Sequence, residues 1–201
     1  MRENLSAIDR LAERIGVITA QLRGFARKGI AGEGGAGSVL LADGLDGARL
    51  LLKERLAAVR YETPDIPAGL LVRGDKVRIE QILVNLLQNA TEALAGHPDP
   101  RITITLALEE NVNEDEDEEG KAQAVCLVIA DNGPGIAPEI AARLFTPFAT
   151  SRAEGLGLGL VIAQDIAQEF GGSLRLLPDE AARGLMPGTG GAAFELRLRL
   201  A

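Results

Sequence analysis

The sequence predicts an α+β protein: a two-layer α/β sandwich in which helices cover one face of a mixed or antiparallel sheet. Two segments, "RITITLALE" from residue 101 and "FELRLRL" from residue 194, alternate apolar and polar residues, as strands with one covered face do. A third segment, "GDKVRIEQILVNLLQNATEALAG", places apolar residues at helical spacing. Only "AVCLVIA" is continuously apolar, so a doubly wound parallel sheet is not predicted.

The first predicted element is a long helix over residues 3–28. A heptad pattern occupies its a and d positions with Leu5, Ile8, Ala12, Ile15, Thr19, Leu22 and Ala26. Leu11, Ile18 and Phe25 widen this stripe on one side. So broad a stripe favours a helical bundle between chains, although packing onto the rest of this chain stays open. The glycine-rich stretch "GIAGEGGAG" then predicts a linker over 29–37, which leaves a domain over 38–201.

The domain is predicted to open with a helix inside "SVLLADGLDGARLLLKERLAAV" and with two short strands in "AVRYE" and "GLLVRG". The strong helix that follows has Asp75 as its N-cap and Gly96 just past its end. The first alternating strand, "RITITLALE", comes after this helix. The continuous apolar segment and a glycine-rich stretch follow it, and the second alternating strand, "FELRLRL", comes last.

Composition narrows the class of protein. The chain has 201 residues, 46% of them apolar, with no tryptophan, no apolar run of membrane-spanning length and no signal-peptide pattern. The single cysteine, Cys126, excludes an internal disulfide and fits a reducing compartment. Because it lies within the apolar segment, we expect a small buried core residue rather than a reactive thiol.

Charge is concentrated in one place. Residues 109–119, "EENVNEDEDEE", hold eight acidic residues, and removing them from the 29 in the chain leaves 21, equal to the 21 lysines and arginines. The run predicts a solvated loop rather than a calcium site, since it lacks the glycine and the ligand spacing of a calcium loop. No basic patch indicates nucleic-acid binding.

The segment "GLGLGL", residues 155–160, places a glycine at every second position before a predicted helix. It fits neither the dinucleotide fingerprint, which needs a glycine where Leu160 stands, nor a P-loop, which needs a Lys-Ser or Lys-Thr pair. Glycines before a helix N-terminus still favour an anion such as phosphate, because backbone N–H groups can approach it closely. A flexible hinge without a ligand is the alternative.

Two polar patterns accompany the glycines. Asn85 and Asn89 lie one turn apart at the border of an apolar helix stripe, where they could supply oxygen ligands to magnesium or simply be two satisfied amides at a layer edge. Asp131 ends the continuous apolar strand and is followed by the turn "NGPG". Its carboxylate could accept a hydrogen bond from an exocyclic amine such as that of adenine, or the segment could be a plain turn.

The order "NLLQNA", "DNGPGI", "LFTPF", "GLGLGL" resembles the N, G1, F and G2 boxes of sensor histidine kinases, in the GHKL superfamily of gyrase- and Hsp90-like ATPases. The resemblance covers roughly 38–201, and residues 3–28 resemble the second helix of a dimerisation hairpin. Within the family, the segment "NATEA" resembles the matching segment of the dicarboxylate-transport sensors. The resemblance implies a Bergerat-type ATP-binding fold. It also implies an enzyme that transfers the γ-phosphate of Mg-ATP to a histidine.

The resemblance also implies roles for individual residues. Asn89 would hold Mg²⁺, Asn85 would support it at the phosphates, and Asp131 would bind the adenine amine. Phe145 and Phe148 would anchor a mobile lid over 149–156, and "GTGGAAF" from residue 188 would close the adenine pocket. The full set of implied nucleotide-binding residues is Asn85, Asn89, Asp131, Gly133, Gly135, Ile136, Phe148, Thr150, Ser151, Arg152, Gly155, Leu156, Gly157, Leu158, Gly159 and Leu160.

The sequence departs from the family at two points. Many members carry a lysine near the phosphates where this chain has Glu92. Arg152 is the expected replacement and Arg143 the second candidate, and either could instead be a solvated surface arginine. The phosphoacceptor histidine of the first hairpin helix has no counterpart, because the only histidine, His97, lies in the loop "AGHPDP" and is expected to be an exposed turn residue. The chain is therefore expected to be a piece of a longer kinase.

These observations lead to one expected function and two alternatives. We expect the catalytic domain of a histidine kinase with ATP and Mg²⁺ as cofactors, a homodimer through the N-terminal helix, and a response-regulator receiver domain as partner. We expect it to be the cytosolic part of a membrane sensor, without membrane contact of its own and without nucleic acid as a partner. A GHKL-type ATPase, or a nucleotide-binding regulatory module without transfer activity, remains the alternative.

Overall fold

The structure is a computed structural model that describes residues 37–110, 123–147, 157–186 and 190–201. The elements follow one another in this order: β1 (Ser38–Leu40), α1 (Leu41–Leu51), α2 (Lys53–Leu56), β2 (Arg60–Glu62), β3 (Leu71–Arg73), α3 (Lys76–Ala93), β4 (Arg101–Glu110), β5 (Gln123–Asp131), α4 (Pro138–Ala141), α5 (Gly159–Glu169), β6 (Ser173–Leu176), α6 (Asp179–Leu185) and β7 (Ala193–Arg199).

The predicted mixed sheet is confirmed. Five strands lie in the order β2-β4-β5-β7-β6, with β2 parallel to β4 and the other neighbours antiparallel. Strands β1 and β3 form a separate antiparallel pair, which a bridge between Val72 and Leu200 connects to the end of β7. In the main sheet, β7, the last strand in the sequence, lies between β5 and β6.

One face of this sheet and the three longer helices share a single aliphatic core. Ile104 of β4, Ile129 of β5 and Phe194 of β7 lie side by side in register and are buried. The helices contribute a larger set of buried side chains, which includes Leu45, Ile79, Ile82, Leu83, Leu86, Leu87, Val161, Ile162 and Ile166. Each such side chain stabilises the fold by about 1.5–3 kcal/mol relative to its exposed state, so this layer contact dominates the stability of the domain.

The alternation in β4 correctly predicts which face of the strand is buried, but not how far along the strand the burial extends. Ile102 and Ile104 are buried, whereas Leu108 on the same face is 58% exposed. Strand β2 pairs only with residues 101–103 of β4, so the outer half of β4 runs along an edge of the described sheet. Side chains at such an edge have fewer neighbours, which leaves Leu108 open to solvent.

The second face of the sheet carries more structure than the sequence indicates. Helix α6 packs there, with Ala182 and the following Met186 buried against Ala130 of β5 and Ala193 of β7. Cys126 is also buried on this face, as expected. This second cover explains why β5 is continuously apolar rather than alternating.

Ion pairs line the remainder of the second face. Arg175 donates two hydrogen bonds to Glu195, at 2.5 and 2.8 Å, and Arg197 lies 2.6 Å from Glu109. The hydrogen bond from Arg175 holds the pKa of the Glu195 carboxyl below its ordinary value, with burial opposing it. Two polar residues of "FELRLRL", Glu195 and Arg197, are therefore paired across strands.

Three predictions fall on other parts of the chain. The helix over 3–28, most of the acidic run 109–119 and the lid over 149–156 lie outside the described residues. Within the described part, no helix combines the length and the apolar character needed to cross a membrane.

Candidate functional site

The asparagine pair lies on helix α3, whose sequence sets its orientation. The Asp75 side chain accepts a hydrogen bond from the Arg78 backbone N–H at 3.2 Å, which confirms the predicted N-cap. The apolar face of the helix is buried against the core, so Asn85 and Asn89 lie at its border and are half-buried. Amides in this position can reach a ligand without leaving the helix.

Asn85 connects two motifs that are 74 residues apart. Its amide nitrogen donates to the Gly159 carbonyl at 3.0 Å. A Cβ on Gly159 would lie 3.4 Å from the Asn85 side-chain oxygen, so the first turn of α5 passes close to the amide. The structure thus places the N-box helix beside the glycine segment, as the resemblance implies.

The carboxylate of Asp131 is the buried polar centre of the site. Asp131 ends β5 and is only 5% exposed. One of its oxygens accepts hydrogen bonds from the Gly133 N–H at 2.9 Å and from the Ala192 N–H at 3.4 Å. Backbone donors from the turn after β5 and from the start of β7 therefore fix the carboxylate.

Two glycines permit the close approach of backbones around this carboxylate. A Cβ on Gly191 would lie 1.6 Å from the Asp131 carbonyl oxygen, so no side chain fits there. Gly135 has a φ of +75°, and a Cβ there would lie 2.2 Å from the Gly190 carbonyl oxygen. The turn after Asp131 is thus packed directly against the segment that leads into β7.

Asn132 is a site residue that the sequence analysis missed. It is 5% exposed, and its side chain accepts from the Arg101 N–H and donates to the Asp99 carbonyl, both at 2.7 Å. These bonds attach the turn to the loop before β4. The sequence shows only an amide directly after a buried strand, and this pattern does not identify its distant partners.

The same turn faces the end of the asparagine helix. A Cβ on Gly133 would lie 3.2 Å from the Ala93 carbonyl oxygen and 3.4 Å from its side chain. Ala93 follows Asn89 by about one turn of α3. The Asp131 turn and the asparagine pair therefore line one region of the molecule.

The glycine segment leads into α5 as expected. Gly157 has a φ of +65°, Leu158 is buried, and the helix begins at Gly159 with no side-chain cap on its first turn. The first N–H groups of such a helix favour an anion. Leu160 is half-buried and packs against the core.

The remaining predicted residues divide into two groups. Ile136 and Phe145 are half-buried and contact the main core. The others lie outside the described residues, namely Phe148, Thr150, Ser151, Arg152, Gly155 and Leu156. Their roles stay predictions, as does the part of "GTGGAAF" before Gly190.

The departures from the family pattern are also visible. Arg143 is exposed. His97 lies in a turn, but it is half-buried rather than exposed, because its ring nitrogen Nδ1 accepts a hydrogen bond from the Asp99 N–H at 3.2 Å. Its own N–H donates to Leu94, so the residue closes the end of α3.

An oxygen-ligated magnesium fits this arrangement. Within the described parts of the chain no group of three or more His, Cys, Asp or Glu side chains could hold a metal ion. Magnesium bound with nucleotide needs no such cluster, since one or two protein oxygens plus phosphates and waters complete its shell. The Asn89 amide oxygen is a donor of the required kind.

Comparison with protein families identifies this arrangement. The family described as "Histidine kinase-, DNA gyrase B-, and HSP90-like ATPase" matches residues 74–201, which include the asparagine helix, the Asp131 turn and the glycine segment. The chain belongs to this ATPase family.

Among its relatives in this ATPase family are sensor proteins. The chain is 40% identical over 178 residues to the C4-dicarboxylate transport sensor protein DctB of Rhizobium meliloti (strain 1021), which covers 87% of this chain and 26% of that protein. It is 31% identical over 201 residues to the sensor protein FixL of Bradyrhizobium diazoefficiens, covering 96% of this chain and 35% of that one. The chain thus spans about a quarter to a third of the length of these relatives.

Solved structures of the ATPase family share the fold. The mycobacterial sensor histidine kinase MprB superposes with a TM-score of 0.64 at 26% identity, covering 82% of this chain and 97% of that one. Full-length ShkA in complex with AMPPNP superposes with a TM-score of 0.70 at 23% identity, covering all of this chain and 39% of that one. The chain therefore shares its fold with these two proteins.

Proposed function

We propose that this chain is the ATP-binding catalytic part of a sensor histidine kinase, which transfers the γ-phosphate of Mg-ATP to a histidine outside this chain. The observation that carries the proposal is the buried Asp131 carboxylate, fixed by two backbone N–H groups beside the asparagine pair. Membership of the ATPase family and the two sensor relatives support it.

Asp131 would select the base. A carboxylate accepts hydrogen bonds, and adenine presents an amine where guanine presents a carbonyl, so adenine pairs and guanine does not. A buried oxygen left unpaired costs about 1–3 kcal/mol, which is enough to discriminate between the two bases. Gly133, Gly135 and Ile136 would shape the walls of this pocket.

The phosphates would bind between the asparagine pair and the start of α5. Asn89 would hold Mg²⁺, and when bound that ion neutralises charge on the phosphates. Asn85 would orient the segment around Gly159, while the N–H groups at Gly157–Gly159 would face the phosphate oxygens. Positioning and charge neutralisation of this kind are the main needs of phosphoryl transfer.

The side chain one turn before Asn89 favours transfer over hydrolysis. That position holds Asn85, and an amide cannot take a proton from an attacking water. ATPases of the superfamily place a glutamate base at this position. The water-activating group is thus missing at the place where hydrolysis would need it.

The proposal extends to partners and location. We place residues 1–28 in a homodimeric helical bundle, 29–37 in a linker and 38–201 in the catalytic domain. The expected partner is a receiver domain, and histidine kinase ThkA, solved in complex with the response regulator protein TrrA, has the same fold. We expect the chain to be the cytosolic part of a membrane sensor, and its likeness to a C4-dicarboxylate transport sensor protein supports a role in sensing.

The test has two steps. Calorimetric titration should show ATP binding that depends on magnesium. Incubation with γ-labelled ATP and a separately supplied histidine hairpin should then place acid-labile, base-stable label on the hairpin. ATP hydrolysis without transfer would favour the ATPase alternative, and binding without either reaction would favour a regulatory module.

A further inference from the structure

A three-residue polar cluster connects the asparagine helix to the short helix α2. Glu92 of α3 accepts a hydrogen bond from the Gln88 amide at 2.8 Å and one from the Arg55 guanidinium at 3.2 Å, both at the same carboxylate oxygen. Arg55 belongs to the short helix α2, 37 residues earlier in the chain. The bond from Arg55 therefore connects the carboxylate to α2.

Glu92 lies close to the expected phosphate position. It follows Asn89 by three residues on a regular helix, and side chains with this spacing have Cβ atoms about 5–6 Å apart. A magnesium-bound triphosphate at Asn89 would thus carry its negative charge within one or two side-chain lengths of a carboxylate. Uncompensated, that carboxylate opposes binding of the phosphates and has no effect on the base.

We propose that Arg55 is a positioning residue for Mg-ATP, which neutralises Glu92 and so permits the triphosphate to bind at Asn89. The inference rests on the proposed function, since it needs the phosphates at the asparagine pair. Arginine stays charged at every physiological pH, so the compensation is permanent. Arg55 would act through Glu92, so this role is separate from that of a cation at the phosphates, which stays a prediction for Arg152.

The cluster is half open to water, which sets the size of the effect. The Arg55 and Glu92 side chains are 53% and 31% exposed, so salt screens their field. We expect Arg55→Gln to weaken Mg-ATP binding about threefold to tenfold at low salt, with little change in folding stability. The loss should shrink at high salt.

The experiment compares ligands of increasing charge. Titrations of adenosine, Mg-ADP and Mg-ATP are made with the unchanged chain, Arg55→Gln and the double variant Arg55→Gln/Glu92→Gln. The expected loss in Arg55→Gln is absent for adenosine, intermediate for Mg-ADP and largest for Mg-ATP. The double variant should recover the affinity for Mg-ATP, because no carboxylate then needs compensation.

A matched control separates this role from a general loss of positive charge. Arg60 of β2 forms a similarly exposed ion pair with Glu62 at 3.0 Å, and Arg60→Gln removes the same charge elsewhere. An equal loss in Arg60→Gln, an equal loss for adenosine, or no recovery in the double variant would overturn the inference. If the unchanged chain binds neither adenosine nor Mg-ATP, the proposed function itself fails and the role of Arg55 with it.

Discussion

At the scale of single residues, the site depends on polar side chains that are held rather than free to reorient. Backbone N–H groups on two sides fix the Asp131 carboxylate, and the Asn132 amide attaches the same turn to the loop before β4. Such pre-organisation means that a ligand need not order these groups when it binds. Substitutions that remove these groups should therefore weaken recognition of a ligand.

We expect Asn89→Ala to weaken Mg-ATP binding roughly tenfold or more while leaving adenosine binding nearly unchanged. The amide oxygen is expected to reach only the metal and its phosphates, and a bond to a charged group contributes about 1.5–3 kcal/mol. Parallel titrations with the two ligands give the comparison. An equal loss for both would exclude a metal role for Asn89.

We expect Asp131→Asn to remove the preference for ATP over GTP. The amide can present a donor to the guanine carbonyl, whereas the carboxylate can only accept. A competition assay with a fluorescent nucleotide measures the ratio of the two affinities. Unchanged selectivity would contradict the adenine assignment.

We expect Cys126 to stay unlabelled by thiol reagents in the native state. Burial raises the pKa of its thiol to about 12, with Glu195 adding to the shift, so almost no thiolate exists near neutral pH. Labelling should become fast only in denaturant, where the pKa returns to its ordinary value. Rapid labelling of the folded chain would mean that the second face of the sheet opens readily.

At the scale of elements, the junction between β5 and β7 is the most constrained part of the site. The backbone at Gly191 lies against the Asp131 carbonyl, and the next N–H, that of Ala192, donates to the Asp131 carboxylate. The start of β7 and the end of β5 are therefore one structural unit, and a change in either should move the carboxylate.

We expect Gly191→Ala to reduce both nucleotide affinity and stability, because its Cβ would lie 1.6 Å from a backbone oxygen. Backbone displacement of this kind costs about 1–3 kcal/mol or more. Gly184→Ala in α6 is the control, since nothing lies within 4 Å of its added Cβ and alanine favours the helix. Urea denaturation and ATP titration of both variants provide the test, and an unaffected Gly191→Ala would contradict the proposed packing.

The elements show which features the sequence could predict. Helix α3 was predictable because its cap at Asp75 and its helical apolar spacing agree. Strands β4 and β7 were predictable from their alternation. Helix α6 was not, because it is short and covers a sheet face through small residues such as Ala130 and Ala193, which leave no periodic signal.

The candidate site follows the same division. Asn85, Asn89 and Asp131 stood out because polar residues interrupt apolar patterns there. Asn132 and Arg55 could not be predicted, since their roles depend on contacts with residues 33 and 37 positions away. Such pairings are set by the packing of α2, α3 and the sheet, which no local pattern encodes.

At the scale of the whole molecule, we expect the chain alone to bind Mg-ATP and to form no phosphohistidine. Phosphoryl transfer requires an acceptor nitrogen in line with the γ-phosphate. The only histidine, His97, is half-buried in the turn that closes α3, with Nδ1 bonded to the Asp99 N–H. Reaching the phosphates would require this helix end to unfold.

Incubation with γ-labelled ATP, followed by a check for acid-labile and base-stable label, measures this outcome. His97→Gln serves as the control variant, since it removes the only imidazole. Label on the isolated chain that disappears in His97→Gln would contradict the assignment of His97 as a structural turn residue.

The position of β7 inside the sheet has a consequence for how the protein matures on the ribosome. Strand β7 follows every other strand in sequence, yet it separates β5 from β6 and supplies the Ala192 N–H to Asp131. A nascent chain that has not yet emerged as far as residue 192 leaves one edge of β5 unpaired and lacks a donor to the Asp131 carboxylate. We therefore expect nucleotide to stabilise only chains whose translation has passed this point, whereas shorter chains present an exposed strand edge that is prone to pair with other chains.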